Sequence, residues 1–423
     1  MNRIAFGALW VQIFILPWEL FRTFQETAYL PRIGSLSRIV GFALLPLVLL
    51  DVLDRGGKVR PLGLFHLVTA GFVWWAGMSL FWSLDPEETW EKLWTYAQLA
   101  VLTWMIWELA PTQERQRSLL WAYVLGAYVS TIDTLAQFLR GTLEDSFRFA
   151  ATGFNPNDLG FTLVLAMPMA WYLALARRGK FATWVNLLYL PLGMTAVLLT
   201  ASRGAFIPAL VSLLIIPWTL PAHSWPMKGA ISGLILASVL VLQDVIPAYS
   251  WERLAAASTE IETGEFSDRS QIWQAGLHVF EEHPIVGVGA GAFGAAVEPI
   301  LGAPRAPHQT FLSVLVGQGI IGLLLFLAMF AAAGAAIWRM PSLPRAFWSV
   351  LLLTLAVGLQ PRTWDYRKPV WFILGVLAAQ AAATEYGRSG GRVLHRVPLR
   401  WGVRREDGRP AGALAGGTPA ETI

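Results

Sequence analysis

Four short polar segments interrupt an otherwise apolar chain, and each stands where a helix would begin. They are Phe154-Asn155-Pro156-Asn157-Asp158, Ser202-Arg203-Gly204, Asp268-Arg269-Ser270 and Pro307-His308-Gln309. A helix N-terminus presents backbone N–H groups without internal partners and the positive end of the helix dipole, so these positions suit recognition of an anion. Arg203 is the most informative residue. It lies in the run Leu198-Leu199-Thr200-Ala201-Ser202-Arg203-Gly204-Ala205-Phe206 with almost no loop around it, so its guanidinium must snorkel to an interface, pair, or bind something. Arg269 suits the same anion or, alternatively, a surface ion pair with Asp268 or Glu265. The His308 imidazole titrates near neutral pH and could take a proton from a hydroxyl, although single histidines also stand at helix ends without chemical purpose. Asn155, Asn157, Ser202 and Gln309 add neutral polar groups beside these charges.

Other chemistries are excluded or unsupported. The chain has no Cys, which rules out disulfides, thiolate nucleophiles, iron–sulfur clusters and Cys-ligated zinc. No His, Asp or Glu set has H-E-x-x-H spacing, and Glu281-Glu282-His283 reads as a solvated helix end, so neither a metal nor another cofactor is expected. Gly289-x-Gly291-x-x-Gly294 matches a dinucleotide fingerprint formally but follows no strand, and it reads as a flexible turn.

The elements that must position these residues are membrane helices. Hydrophobic residues make up 55% of the 423 and charged residues only 14%, against about a quarter in soluble proteins. Many of the 21 Trp (Trp10, Trp18, Trp82, Trp94, Trp107 and Trp121 among them) fall near the ends of apolar runs, as rings at a headgroup zone do. A spanning helix needs roughly 17 to 25 apolar residues, and about twelve candidates follow: 4–20, 39–53, 64–82, 93–109, 119–139, 159–176, 181–200, 204–220, 229–246, 311–338, 347–360 and 370–383. The first, after Arg3, lacks a convincing cleavage site and reads as a retained helix. The tenth is long enough to tilt or to break around Gly317, Gly319 and Gly322.

Lys and Arg set the orientation, because basic loops stay cytoplasmic. With both termini inside, more than half of the 32 basic residues lie inside, through compact clusters such as Arg177-Arg178-Gly179-Lys180 and the arginine-rich tail. All four polar segments then face outward, as do Asp85, Glu87, Glu88 and Glu91 in one acidic loop. The expected organisation is a transmembrane domain over 1–386 and a long outer loop over 247–308 between the ninth and tenth helices. A basic, poorly ordered tail over 387–423 would lie against anionic membrane lipids. Within the loop, Ser267 or Asp268 would cap a helix carrying Ile272, Trp273, Gly276, Leu277 and Phe280, ended by Pro284. The basic residues are too dispersed for nucleic acid.

Five motifs in this order carry a family resemblance: GFNPNDLG at 153–160, ASRGAF at 201–206, DRSQIW at 268–273, HPIVGVGAGAF at 283–293 and HQTFLSVLVGQGIIG at 308–322. Together with the long outer loop, they resemble the O-antigen ligase family, which also takes in O-antigen polymerases and some protein oligosaccharyltransferases. The resemblance covers roughly 153–338; the first five spans match only as a hydropathy profile. It implies an all-α, GT-C-like membrane glycosyltransferase working at the outer, periplasmic face of the inner membrane. The implied donor is a polyprenyl-diphosphate-linked glycan and the implied acceptor a lipid-anchored molecule or another glycan. Carried over residue by residue, it implies that Arg203 and Arg269 hold the donor diphosphate and that His308 activates the acceptor hydroxyl, with inversion at the anomeric carbon and no metal. The family usually has His-Asn where this chain has His308-Gln309, which keeps the amide and lengthens it by a methylene. A polymerase joining repeat units on the same carrier needs the same donor chemistry. A lipid-linked glycan transporter without catalysis is the reading from another class; Asp133, inside the fifth span, could then lie on a proton pathway or simply bond a neighbouring helix.

Overall fold

The computed structural model describes residues 2–19, 36–141, 148–176, 179–220, 252 and 269–388. Among these the chain is helical: α1 (Asn2–Ile15), α2 (Leu36–Asp54), α3 (Leu64–Met78), α4 (Pro86–Leu109), α5 (Gln113–Arg140), α6 (Pro156–Ala176), α7 (Lys180–Leu199), α8 (Arg203–Leu213), α9 (Ile215–Thr219), α10 (Arg269–Glu282), α11 (Phe293–Leu301), α12 (Thr310–Gly334), α13 (Ser342–Gly358) and α14 (Lys368–Arg388). Six helical stretches are long and apolar enough to cross a membrane, namely Leu36–Asp54, Leu64–Phe81, Gln113–Arg140, Pro156–Ala176, Lys180–Leu199 and Thr310–Arg339; Arg203–Thr219, Ser342–Gly358 and Lys368–Thr384 are shorter apolar helices. The expected ninth span, the Ser267/Asp268 cap and the tail beyond Arg388 lie outside the described residues.

Burial separates the interior of the bundle from its lipid-facing rim. The most hydrophobic stretch of α6 is 89% buried, and it packs against α5, α7, α8 and α13, whereas that of α2 is only 28% buried. A helix apolar on all sides can be buried on all sides, and α6 is the case in point. Close approach is possible because Gly160 faces α8; a Cβ there would sit 2.8 Å from the Ala205 Cβ. α14 is the second interior helix, packed on α4 and α12, with Val370–Leu374 buried.

Two expectations need correction. Asp85, Glu87, Glu88 and Glu91 do not form a loop, because α4 begins seven residues before the apolar run, at Pro86. Asp85 caps it through the Glu88 N–H (3.1 Å), and carboxylates in a first turn suit the helix dipole. The glycine run after Pro284 is not a flexible turn either. α12 breaks at Gly319 (φ 65°, ψ −171°), which frees backbone groups that a membrane interior cannot hydrate. The 284–289 segment supplies the partners: Val288 N–H donates to the Val316 carbonyl (3.0 Å), Gly289 N–H to that of Gly317 (2.8 Å), and Ile320 N–H to that of Pro284 (2.9 Å). The fit leaves no room for side chains, since a Cβ on Gly287 would meet Gly319 N at 2.5 Å and one on Gly289 the Ser83 Oγ at 2.2 Å. The expected break in the tenth span is thus present, and the glycine run is its complement.

Around this joint α10, α11 and the start of α12 form a second small core from Ile272, Ala275, Val279, Phe293, Val297, Leu312 and Val316. The buried face of α10 runs through Ile272, Ala275, Gly276 and Val279, while the expected Leu277 is exposed. Its end, Glu281-Glu282-His283, is exposed as expected.

Candidate functional site

The starts of α6, α8 and α12 meet at the connection between α13 and α14, and one residue touches all three. Arg362, 3% exposed, donates through Nε (3.1 Å) and Nη2 (2.7 Å) to the Asn157 carbonyl. Its Nη1 reaches the carbonyls of Gly204 (2.9 Å) and Gly358 (3.1 Å). The guanidinium also lies 4.7 Å from the Phe161 ring centroid. α12 is bolted to the same connection: Thr310 Oγ1 donates to the Arg362 carbonyl (2.6 Å) and accepts from Trp364 N–H (3.0 Å), while Thr310 N–H reaches the Leu359 carbonyl (3.2 Å).

Each predicted residue has a definite place in this arrangement. Asn155 precedes Pro156 and accepts the Asn157 N–H (2.9 Å), so it caps α6. The Asn157 side chain accepts from Arg148 Nη2 (2.8 Å), whose Nε reaches the Thr200 carbonyl (2.7 Å). Gln309 caps α12 by accepting the Leu312 N–H, and its Nε2 donates to Gln360 Oε1 (3.0 Å); the amide found here in place of asparagine serves as a cap and a tie. Arg203 is the first residue of α8, half-buried, next to the Gly204 whose carbonyl Arg362 grips. Ser202 precedes it without capping α8 through its side chain, and its buried Oγ has no hydrogen-bond partner. Arg269 opens α10, and Trp273 on the next turn donates to the Pro307 carbonyl (3.0 Å), tying α10 to the residue before His308. Asp133 accepts from Thr152 N–H (2.7 Å), holding the connection before α6 in place.

Two non-glycine residues with positive φ occur among the described residues, Ala201 and His308, both at 48°. L-residues pay for that conformation, and strain of this kind gathers at functional sites. Both flank helix starts at this site. The His308 ring is exposed, yet partial desolvation, first, and the Arg269 guanidinium, second, hold it below its ordinary pKa, with Asp158 opposing. Burial pushes the Arg362 guanidinium down to about 9, Asp158 raising it and Arg269 and Arg148 lowering it further, so it stays charged at neutral pH. Arg269, His308, Asp158, Arg362 and Arg148 therefore share one electrostatic neighbourhood. Asp158 is itself held by Trp364 Nε1 (2.8 Å) and Arg367 Nη2 (2.9 Å).

Sequence reading missed Arg148 and the whole Arg362–Arg367 connection, and it gave Asp158, at the end of the first polar segment, no role of its own. The signal was there in Gln360-Pro361-Arg362-Thr363-Trp364-Asp365-Tyr366-Arg367, a dense mix of charge and aromatic rings between two apolar helices. What could not be read was that its first arginine turns inward: Arg362 grips carbonyls of three helices rather than facing solvent.

Residues 187–327 match the family described as O-antigen ligase. The match covers a third of the chain, a segment that contains Ser202, Arg203, Arg269, His308 and Gln309 but not Asn155, Asn157 or Arg362. No curated protein matches the chain.

Proposed function

We propose that the protein transfers a glycan from a polyprenyl-diphosphate carrier to a hydroxyl of a lipid-anchored acceptor at the outer face of the inner membrane, as an O-antigen ligase. Arg203 and Arg269 hold the diphosphate, each guanidinium offering paired, charge-assisted hydrogen bonds to phosphate oxygens. The acceptor oxygen attacks the anomeric carbon as the bond from that carbon to the diphosphate oxygen breaks. The hydroxyl proton passes to His308, and the bonding electrons leave with the polyprenyl diphosphate, whose growing charge the two arginines stabilise. A single displacement inverts the anomeric centre, and the guanidinium groups supply the charge neutralisation that a metal would otherwise give. Because the donor enters sideways from the bilayer, helix ends at the membrane edge are where it is met.

The observation that carries this reading is the convergence of the α6, α8 and α12 starts on the Arg362 connection, with Arg269 close enough to His308 to depress its pKa. The partnerless Ser202 Oγ beside Arg203 adds a polar group ready for an oxyanion. A lowered imidazole pKa keeps His308 neutral, the form a base requires.

The test is transfer by the purified protein from a polyprenyl-diphosphate glycan to candidate acceptors with EDTA present. Product formation is expected. Carriage of the lipid-linked glycan across a bilayer without any product would replace the proposal with a transporter. Elongation of the glycan on its carrier would replace it with a polymerase.

A further inference from the structure

Beside the start of α14, α1, α2 and α4 leave an open apolar cavity of about 170 Å³. Phe42, Leu45, Leu99, Leu102 and Met105 line its length, and Arg38 and Lys368 stand in the lining where α2 and α14 begin. Its walls are apolar and its neighbour is lipid, so hydrocarbon fills it in preference to water.

The polar atoms in the same lining separate this cavity from an ordinary gap between helices. Gln12 Oε1, Arg38 Nε and Gln98 Nε2 are buried without a hydrogen-bond partner. Orphaned polar atoms are costly wherever water is scarce; the two donors, Arg38 Nε and Gln98 Nε2, call for an acceptor, and Gln12 Oε1 calls for a hydroxyl beside it. The charges define that acceptor. Lys368 Nζ bonds Glu19 and the Ser37 hydroxyl (2.6 Å), and Glu19 also bonds Ser37, whereas the Nε of the Arg38 guanidinium is among the unpartnered atoms. A phosphodiester is an anionic acceptor that this guanidinium can meet. We propose that this cavity is a binding site for an anionic phospholipid, one acyl chain lying between α2 and α4 and its phosphate meeting Arg38. The site is independent of the glycan-transfer reading.

The experiment uses the full chain in nanodiscs of phosphatidylcholine with a minor fraction of phosphatidylglycerol, followed by detergent exchange and mass spectrometry of the retained lipid. The wild type is expected to retain phosphatidylglycerol selectively. Arg38→Gln should reduce that selectivity about tenfold, the worth of one charge-assisted hydrogen bond. Leu45→Trp should displace the retained lipid by filling the cavity, and Ala97→Leu fills it more gently should the tryptophan variant melt early. Leu324→Trp, on the exposed face of α12, should change nothing. Equal retention of both lipids by the wild type, or unaltered retention in both Arg38→Gln and the cavity-filling variant, would overturn the proposal. So would displacement of phosphatidylglycerol by an equimolar polyprenyl phosphate, which would give the cavity to the carrier chain.

Discussion

The two ends of the bundle both concentrate arginine, but they satisfy it differently. Where α2 and α4 finish, Arg55 bridges Asp51 (3.2 Å) and Glu108 (3.1 Å), and the Arg60 backbone N–H donates to Glu108 (2.7 Å) while its side chain reaches the Trp107 carbonyl and lies 3.6 Å from the Trp107 ring centroid. Those carboxylates are 2% and 3% exposed, so cation and anion neutralise one another inside the fold. At the opposite end all of the hydrogen bonds of Arg362 go to carbonyls. A carbonyl satisfies a guanidinium's donors without cancelling its charge. The first end is a lock; at the second, the positive end, Arg367 pairs with Asp158 (2.9 Å) while the buried charge of Arg362 is met by carbonyls.

That contrast is broken most directly at His308. His308→Ala is expected to lower transfer by about 10²–10⁴, the range of general-base catalysis, while expression and donor binding persist. An active variant, measured by product formation with purified protein, would remove the catalytic assignment and leave the positive end without a reacting group. Arg203→Lys comes next. Lysine keeps the charge but not the fork, so a loss of about tenfold or more is expected. Near-normal transfer would make Arg203 a depth-setting interface residue instead.

How much of this was legible follows from the kind of information each residue carries. The helix starts at Asn155, Ser202 and Gln309 were visible because capping chemistry is local, a polar residue before an apolar run. The break in α12 was visible in three glycines within six residues. Its partner segment was misread, because nothing local says that Val288 and Gly289 will find the carbonyls of Val316 and Gly317. Arg362 was missed for the same reason: its bonds run to Asn157 and Gly204, 205 and 158 residues away. Periodicity reports which face a residue takes, and long-range hydrogen bonding has no periodicity.

The locked end provides the converse test. Glu108→Gln leaves Arg55 and the Arg60 N–H with a weaker acceptor, and should cost about 1–3 kcal/mol of stability, toward the low end because the Arg55 side chain is 37% exposed and screened. Thermal melting in detergent reads that loss. Turnover per folded molecule should be unchanged, and a comparable fall in turnover would mean that the two ends are coupled.

The finest test uses the pH profile, since the positive end should set the His308 pKa and the locked end should not. His308 must be neutral to accept a proton, so the rate falls as pH drops through its pKa, which lies below the ordinary value. Desolvation is the first cause and Arg269 the second, while Asp158 pulls the other way. Arg269→Gln removes a cation, makes the imidazolium easier to form and should move the acid limb up toward the ordinary value. Asp158→Asn removes an anion and should move the same limb down. Both variants will also lower the rate, Arg269→Gln through donor binding and Asp158→Asn through its bonds to Trp364 and Arg367, so the midpoints are compared and not the heights. Opposite displacements identify the titrating group as one lying between those two charges, which a purely structural role for either residue would not produce. Displacements of the same sign, or an equal one in Glu108→Gln, would mean that the limb belongs to another group.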